Sequence, residues 1–373
     1  MISRISRRRM MQAMGAATLA PAGVARGAWP LPQIPGEPYE GWSPERADTP
    51  KLSMVVPANS DAAMMRRWKQ IGLNHVHSSL GPIPWTEDQI RTLMASFRAG
   101  GLEVGNLMIG GFPNTIYGRP GRDEEIEKIQ QSIRAAGRAG LPVIEYNFYA
   151  HRIVEGYYSK EGRAGAGMTA FDYERVKDLP PLPNEGTHNL DEMWSNITYF
   201  LKAVIPVAEE SNVRLALHPN DPPAPLSRGS QQIMATVDGW KHLIDIVPSK
   251  CNGITFDCGV TREMGQDPVE VCRYFGTRDR INHVHFRNVQ VQVPYEEYTE
   301  VFLDEGQVNM FAVMKELVRQ KYPRLIDPEH PRQLDVDRDL TVRPTFYPGG
   351  GGYVGFVYNV AYARAMLQAA LTT

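Results

Sequence analysis

The 373-residue sequence lacks the features that mark several protein classes. It has only three cysteines, Cys251, Cys258 and Cys272. Their number is odd and they show no CxxC or metal-knuckle spacing, so a disulfide framework is not expected. Its 40 Lys and Arg residues are offset by 42 Asp and Glu residues, which leaves a formal net charge of -2. General electrostatic attraction to nucleic acid or to an anionic membrane is therefore not predicted.

Long apolar runs and nucleotide-binding motifs are also missing. No segment is suited to span a bilayer permanently. No predicted strand is followed by a GxGxxG or P-loop pattern. The composition, 42% hydrophobic and 22% charged, is that of an ordinary globular protein with a sizeable core. Small neutral or anionic molecules remain the expected partners.

The first 50 residues differ from the rest of the chain. Arg7, Arg8 and Arg9 precede a mildly apolar, Ala-rich stretch, which is the layout of a twin-arginine export signal over residues 1–28. This pattern predicts export of the folded protein to the periplasm, and a disordered basic tail is the alternative. Residues 29–50 are rich in Pro and polar residues and are interpreted as an arm or linker. The remaining residues, 51–373, are predicted to form the catalytic domain.

Short β-type runs alternate with segments of helical period throughout that domain. The eight predicted strands are 52–56, 75–80, 103–109, 143–148, 214–219, 253–258, 281–288 and 324–330. The segments between them repeat apolar residues at steps of three and four, and a last helix is predicted at 356–371. Eight βα units in about 320 residues predict a (β/α)8 barrel. A doubly wound open sheet is the alternative, and the missing nucleotide motifs disfavour it.

Polar residues stand at the ends of the last four predicted strands, where barrels of this kind have their active sites. Because side chains alternate between the two faces of a strand, parity turns His218, Asp257, His285 and Glu329 into the barrel. Two imidazoles and two carboxylates suit Mn²⁺, Fe²⁺, Co²⁺ or Zn²⁺ better than Ca²⁺ or Mg²⁺. We predict that these four residues bind one divalent ion and leave positions open for a substrate oxygen.

Five other residues are predicted to contact a substrate. Arg287 offers a planar fork for a carboxylate, with an ion pair across the barrel as the alternative, and Asn288 follows it. Asn220 and Asp221 lie in the Pro-rich "HPNDPP" loop and could bind hydroxyl groups or simply form a turn. His77 on the second strand is either a substrate contact or polar filling of the barrel.

Two residues are candidates for proton transfer. His330 follows Glu329 but falls off the inward parity, so it is expected in the loop beside the metal, where an acid or base could act. Tyr353 follows the run "GGGG", which could fold over the site, although a lone aromatic residue more often serves packing.

Several of these stretches resemble one enzyme family. "LALHPNDPPAPL", "NGITFDCG", "RINHVHFRNV", "GQVNMFAVMKEL" and "PEH" followed by a "GY" loop are similar to the mannonate dehydratases. These are metal-dependent enzymes of the xylose-isomerase-like barrel group, and the similarity covers roughly residues 51–371. The resemblance implies the metal set His218, Asp257, His285 and Glu329. It also implies that His330 and Tyr353 are catalytic.

The chain departs from the family pattern at the predicted metal site. Asp257 replaces a cysteine, Glu329 replaces an aspartate and Pro331 stands where the family has glycine. The stretch from His330 to Tyr353 is also longer. Oxygen in place of sulfur makes the site harder, so Mn²⁺ is the expected ion, with Fe²⁺, Co²⁺ and Mg²⁺ as alternatives.

The resemblance implies a metal-dependent lyase that dehydrates a sugar acid, such as D-mannonate to 2-keto-3-deoxy-D-gluconate. One alternative is a metal-dependent isomerase or epimerase of the same barrel group that acts on a keto sugar. Another is an exported sugar-acid binding protein without catalysis. The expected partner in each case is a small molecule, and assembly into a homo-oligomer is left open.

Overall fold

The structure, a computed structural model, describes residues 46–339 and 347–373. The predicted export signal at 1–28 and most of the arm at 29–50 lie outside these residues. The strands are β1 (Lys51–Val55), β2 (His75–Ser79), β3 (Glu103–Ile109), β4 (Val143–Tyr146), β5 (Tyr157–Glu161), β6 (Gly167–Asp172), β7 (Arg214–Leu217), β8 (Asn252–Asp257), β9 (Ile281–His285), β10 (Asn288–Val293), β11 (Glu297–Val301) and β12 (Leu325–Asp327).

Eight of these strands close a parallel barrel in the order β1-β12-β9-β8-β7-β4-β3-β2. They correspond one for one to the eight predicted strands, so the predicted (β/α)8 barrel is confirmed. The barrel strands are short and almost wholly buried, as expected where helices cover the outside of a parallel sheet.

Helices connect and cover the barrel strands. They are α1 (Ala62–Gln70), α2 (Glu87–Ala99), α3 (Pro113–Tyr117), α4 (Arg122–Ala139), α5 (Leu190–Glu210), α6 (Val237–Ile246), α7 (Cys258–Glu263), α8 (Pro268–Gly276), α9 (Met310–Arg319), α10 (Asp335–Asp339) and α11 (Tyr353–Thr372). Polar caps fix several starts: Thr86 and Gln89 form a capping box at α2, and Asn189 caps α5. No helix in the described ranges is long and apolar enough to cross a membrane.

Strand register sets the level of the polar residues at the barrel mouth. In β8 and β9, Asp257 pairs with His285, and in β12 and β9, Asp327 pairs with the same His285. Residues paired across neighbouring parallel strands lie at one height on the barrel, so three ionisable side chains are brought to the same layer.

A second sheet, which the sequence analysis did not predict, is inserted between barrel units. Its four antiparallel strands have the order β10-β11-β6-β5. Tyr157, Phe171 and Tyr298 pack together in a separate small core beneath it. The predicted strand 281–288 is therefore two strands, because β9 ends at His285 and Asn288 already pairs with Val301 of β11.

Candidate active site

The structure brings the four predicted metal ligands together. The Nδ1 atom of His285 lies 3.1 Å from Nε2 of His218 and 3.3 Å from Oε1 of Glu329. It lies 4.0 Å from Oδ2 of Asp257. The parity of four separate strand ends therefore leads to one common centre.

This centre fits a divalent cation. One nitrogen or carboxylate oxygen from each of Asp257, His285 and Glu329 lies within 4.8 Å of the others. The Nδ1 atom of His218 is 2.7 Å from the carbonyl oxygen of Pro219. A carbonyl oxygen only accepts hydrogen bonds, so Nδ1 carries the proton and Nε2 is left with its lone pair toward the centre. Mixed imidazole and carboxylate donors suit divalent ions of the first transition series.

Burial and neighbouring charges shift the pKa values of the residues at the centre. Burial lowers the pKa of His285, but Glu329 and Glu145 outweigh burial and raise it to about 10. Burial, together with the nearby His285, lowers the pKa of His218. Burial raises the pKa of Asp257 although Arg287 opposes the change. A proton on His285 thus occupies the place where a metal ion would supply positive charge.

Glu145, at the end of β4, belongs to the centre but was missed from the sequence. Its Oε1 atom lies 3.5 Å from Nε2 of His285, on the ring nitrogen that faces away from the other ligands. Its two oxygens accept hydrogen bonds from Asn106 Nδ2 at 2.9 Å and Thr255 Oγ1 at 2.7 Å. The available signal was a carboxylate in the apolar run "VIEYNF".

Arg287 is buried among protein carboxylates. Its side chain is 1% exposed, and Nε donates to Asp257 Oδ2 at 3.0 Å while Nη1 donates to Glu263 Oε1 at 2.6 Å. Nη2 lies 3.3 Å from Asp221 Oδ1. The structure therefore favours the ion-pair alternative over the predicted substrate fork: Arg287 is a buried counter-ion behind the predicted metal ligands.

Asn220 and Asn288 are also occupied by the protein. Asn220 Oδ1 accepts a hydrogen bond of 2.7 Å from the Met234 backbone N–H. Asn288 donates 3.0 Å to the carbonyl of Leu303 and accepts 3.0 Å from the Val308 N–H. Both side chains bind backbone groups of the surrounding loops, so the structure does not support their predicted contact with substrate.

His77 and Asp221, in contrast, lie on the wall of the central cavity. His77 Nε2 is 3.1 Å from Asp327 Oδ2. Asp221 Oδ1 accepts a hydrogen bond of 2.8 Å from Tyr157. The cavity encloses about 290 Å³, which suits a small ligand. Its wall includes His77, Arg152, Asp221, Glu329, His330 and Tyr347.

His330 lies beside Glu329, one of the predicted metal ligands. Its backbone φ of 46° is in the left-handed region, which turns the ring off the strand direction. Nδ1 is 3.0 Å from Glu300 Oε1, and Nε2 is 3.5 Å from Glu329 Oε2. Arg332 donates 2.8 Å to the second oxygen of Glu300. A buried carboxylate held by arginine therefore orients the imidazole toward the cavity.

Tyr353 lies elsewhere, which corrects the prediction that it reaches the site. It begins α11, its hydroxyl donates to the carbonyl of Arg67 at 3.2 Å, and its ring packs 5.2 Å from that of Trp68. The tyrosine on the cavity wall is Tyr347, whose ring is 4.9 Å from the His330 ring.

Comparison with known proteins identifies the family of this chain. The family model described as D-mannonate dehydratase (UxuA) matches residues 186–372. The mannonate dehydratase of Oceanobacillus iheyensis is 30% identical over 315 residues, covering 76% of this chain and 89% of that protein. The chain belongs to the mannonate dehydratase family. It is a sugar-acid dehydratase of a metal-dependent family, which makes it a hydro-lyase.

Solved structures show the same relationship. The crystal structure of mannonate dehydratase from Streptococcus suis serotype 2 superposes with a TM-score of 0.78 and 26% identity, covering 87% of this chain and 95% of that one. D-psicose 3-epimerase from Clostridium cellulolyticum H10, solved with D-tagatose, has a TM-score of 0.56 and 12% identity and covers 86% and 99% of the two chains. The epimerase shares the fold alone.

These relatives overturn one prediction. The expected periplasmic location is wrong, because the mannonate dehydratases that the chain matches are cytoplasmic enzymes of sugar metabolism. The arginine-rich segment on which the prediction depended lies outside the described residues.

Proposed function

We propose that this dehydratase acts on D-mannonate and forms 2-keto-3-deoxy-D-gluconate. In this reaction C2 loses a proton and C3 loses its hydroxyl group, which together leave as one water molecule. The resulting enol then gains a proton at C3 and becomes the ketone at C2. The observation that carries the proposal is the convergence of His218, His285, Glu329 and His330 on one small cavity, with Asp257 buried 4.0 Å from His285 Nδ1.

We propose that His218, Asp257, His285 and Glu329 hold the divalent ion, with Mn²⁺ favoured because all four donor atoms are hard oxygen or borderline nitrogen. A bound ion would stabilise the negative charge that develops on a substrate oxygen when C2 loses its proton. Arg287 would keep Asp257 ionised and oriented, since its Nε donates to that carboxylate.

Two histidines outside the metal set are placed to move protons. His330 pairs with Glu300, and His77 pairs with Asp327, and both imidazoles lie on the cavity wall. A histidine held by a carboxylate is a common proton-transfer group. We propose that one of them serves C2 and the other the departing C3 hydroxyl. In this proposal His77 has the proton-transfer role that the sequence had suggested for Tyr353.

The experiment is turnover of D-mannonate by the Mn²⁺-loaded protein in D₂O, followed by mass spectrometry and NMR. We expect 2-keto-3-deoxy-D-gluconate with one deuterium at C3. His330→Asn should lower kcat by about 10²- to 10⁴-fold while the metal content stays the same. His188→Asn is the matched control, because His188 also pairs with a glutamate, Glu192, but outside the cavity.

If the protein fails to dehydrate D-mannonate but dehydrates another hexonate, the proposed substrate is rejected and the proposed dehydration reaction stands. Epimerisation of a ketose without dehydration of any sugar acid would reject the reaction itself.

A further inference from the structure

Arg152, in the loop after β4, is the one arginine or lysine side chain on the wall of the central cavity, within the described part of the chain. No pattern in the sequence marks it. A sugar acid carries a carboxylate, and Arg287, the arginine expected to bind it, is buried among protein carboxylates. The substrate's charged end therefore needs another partner.

The protein holds the Arg152 guanidinium from one side. Nε donates to the backbone carbonyl of Asp221 at 2.6 Å, and Nη2 donates to the Asp221 carboxylate at 3.0 Å. Nη1 donates to the hydroxyl of Tyr347 at 2.8 Å. A guanidinium has five N–H groups. Among the described residues these bonds use three of them and leave one on each terminal nitrogen.

Arg152 also differs from Arg287 in how much of its side chain is open to the cavity. The Asp221 carboxylate is shared between two guanidinium groups, because Arg287 Nη2 lies 3.3 Å from its Oδ1. Arg287 also has Asp257 and Glu263 as partners. The Arg152 side chain keeps 28% of its surface exposed, whereas those of Asp221 and Arg287 keep 1% each. Arg152 is thus a fixed, partly exposed cation at the cavity wall.

We propose that Arg152 binds the carboxylate of the sugar-acid substrate and selects acids over neutral sugars of the same chain length. This inference rests on the proposed function, since it names the recognition element of the same site. One N–H on each terminal nitrogen can reach the two oxygens of a carboxylate, which a lysine ammonium does not match. Asp221 and Tyr347 are positioning residues that hold the fork in place.

The test compares D-mannonate with D-mannonamide, in which a neutral amide replaces the carboxylate. Binding of both to Mn²⁺-loaded protein is measured by calorimetry for the wild type, Arg152→Gln and Arg152→Lys, and D-mannonate turnover is recorded beside it. We expect Arg152→Gln to raise Kd and KM for D-mannonate about 10- to 100-fold, as for loss of a hydrogen bond to a charged group. Arg152→Lys should recover part of the loss.

The neutral ligand separates recognition from structural damage. The Kd of D-mannonamide should change less than about threefold in Arg152→Gln. A thermodynamic cycle that combines the residue change with the ligand change then shows coupling between Arg152 and the substrate carboxylate. The matched control is Arg119→Gln, whose guanidinium donates to the loop carbonyls of Asn184 and Glu185. It should change neither constant.

Equal losses for both ligands, or no loss for D-mannonate, would overturn the inference. A wild type that binds D-mannonate through Arg152 without dehydrating it would reject the proposed function and leave the inference standing. If the wild type dehydrates D-mannonate and Arg152→Gln binds and turns it over equally well, the proposed function stands and the inference about Arg152 is rejected. Binding of neither ligand to the wild type would overturn both.

Discussion

Nε2 of His218 and Nδ1 of His285 face each other at 3.1 Å inside a ring of carboxylates. His218 has its proton on the other nitrogen, where it meets the Pro219 carbonyl. The short contact therefore requires Nδ1 of His285 to carry a hydrogen. Nε2 of the same ring faces Glu145 Oε1 at 3.5 Å, and the carboxylates of Glu329 and Glu145 raise the pKa of His285 to about 10. This contact is where a metal ion would replace a proton.

Metal affinity should rise with pH. The pKa of His285 is raised, so below about 10 the metal-free site holds a proton that the ion must displace. We expect Mn²⁺ binding at pH 7 to 8 to release close to one proton. Calorimetry in buffers of different ionisation enthalpy measures this number. Binding without proton release would show that His285 is already neutral.

Arg287→Met should destabilise the fold. The substitution leaves Asp257 and Glu263 buried without their shared counter-ion, and leaves Asp221 with Arg152 alone. Breaking such a buried pair costs about 3–5 kcal/mol. The free energy of unfolding in urea measures the loss. Arg163→Met removes an exposed pair with Asp304 and should cost less than about 1 kcal/mol. Equal losses in the two variants would contradict the role of Arg287 as counter-ion.

Glu145→Gln should weaken metal binding without removing a predicted ligand. Glu145 faces the ring nitrogen of His285 that points away from the centre, so it fixes the orientation of that ring. Changes to partners of this kind lower metal affinity about 10- to 100-fold. Titration with Mn²⁺ followed by electron paramagnetic resonance gives the dissociation constant. The control is Glu87→Gln, a partly exposed glutamate outside the cavity. An unchanged constant in Glu145→Gln would exclude this positioning role.

Removal of the hydroxyl group should have different effects at Tyr353 and Tyr347. Tyr353→Phe removes only the bond to the Arg67 carbonyl, at a cost of about 0.5–1.5 kcal/mol in stability, and should leave kcat unchanged. Tyr347→Phe removes a partner of Arg152 on the cavity wall and should raise KM for D-mannonate. Steady-state kinetics and thermal unfolding separate these effects. A kcat that collapses in Tyr353→Phe would show that this side chain reaches the substrate.

The strands and their inward faces could be predicted from the sequence. Apolar periodicity fixed eight strands, and alternation along each strand turned His218, Asp257, His285 and Glu329 to one side. Both patterns are local, because they depend on neighbours within a few residues. Glu145 gave a weaker indication of a site, because it is a single carboxylate within one apolar strand.

The roles of the arginines and tyrosines depended on tertiary structure. Arg287 obeys the same inward parity as the metal ligands, yet carboxylates from four other elements surround it and keep it from the cavity. Arg152 and Tyr347 are 195 positions apart, and their bond exists only because two loops meet over the barrel. Local patterns specify which face of a strand a side chain occupies. The partners that a long, flexible side chain reaches are decided by packing between distant segments, which no short stretch of sequence contains.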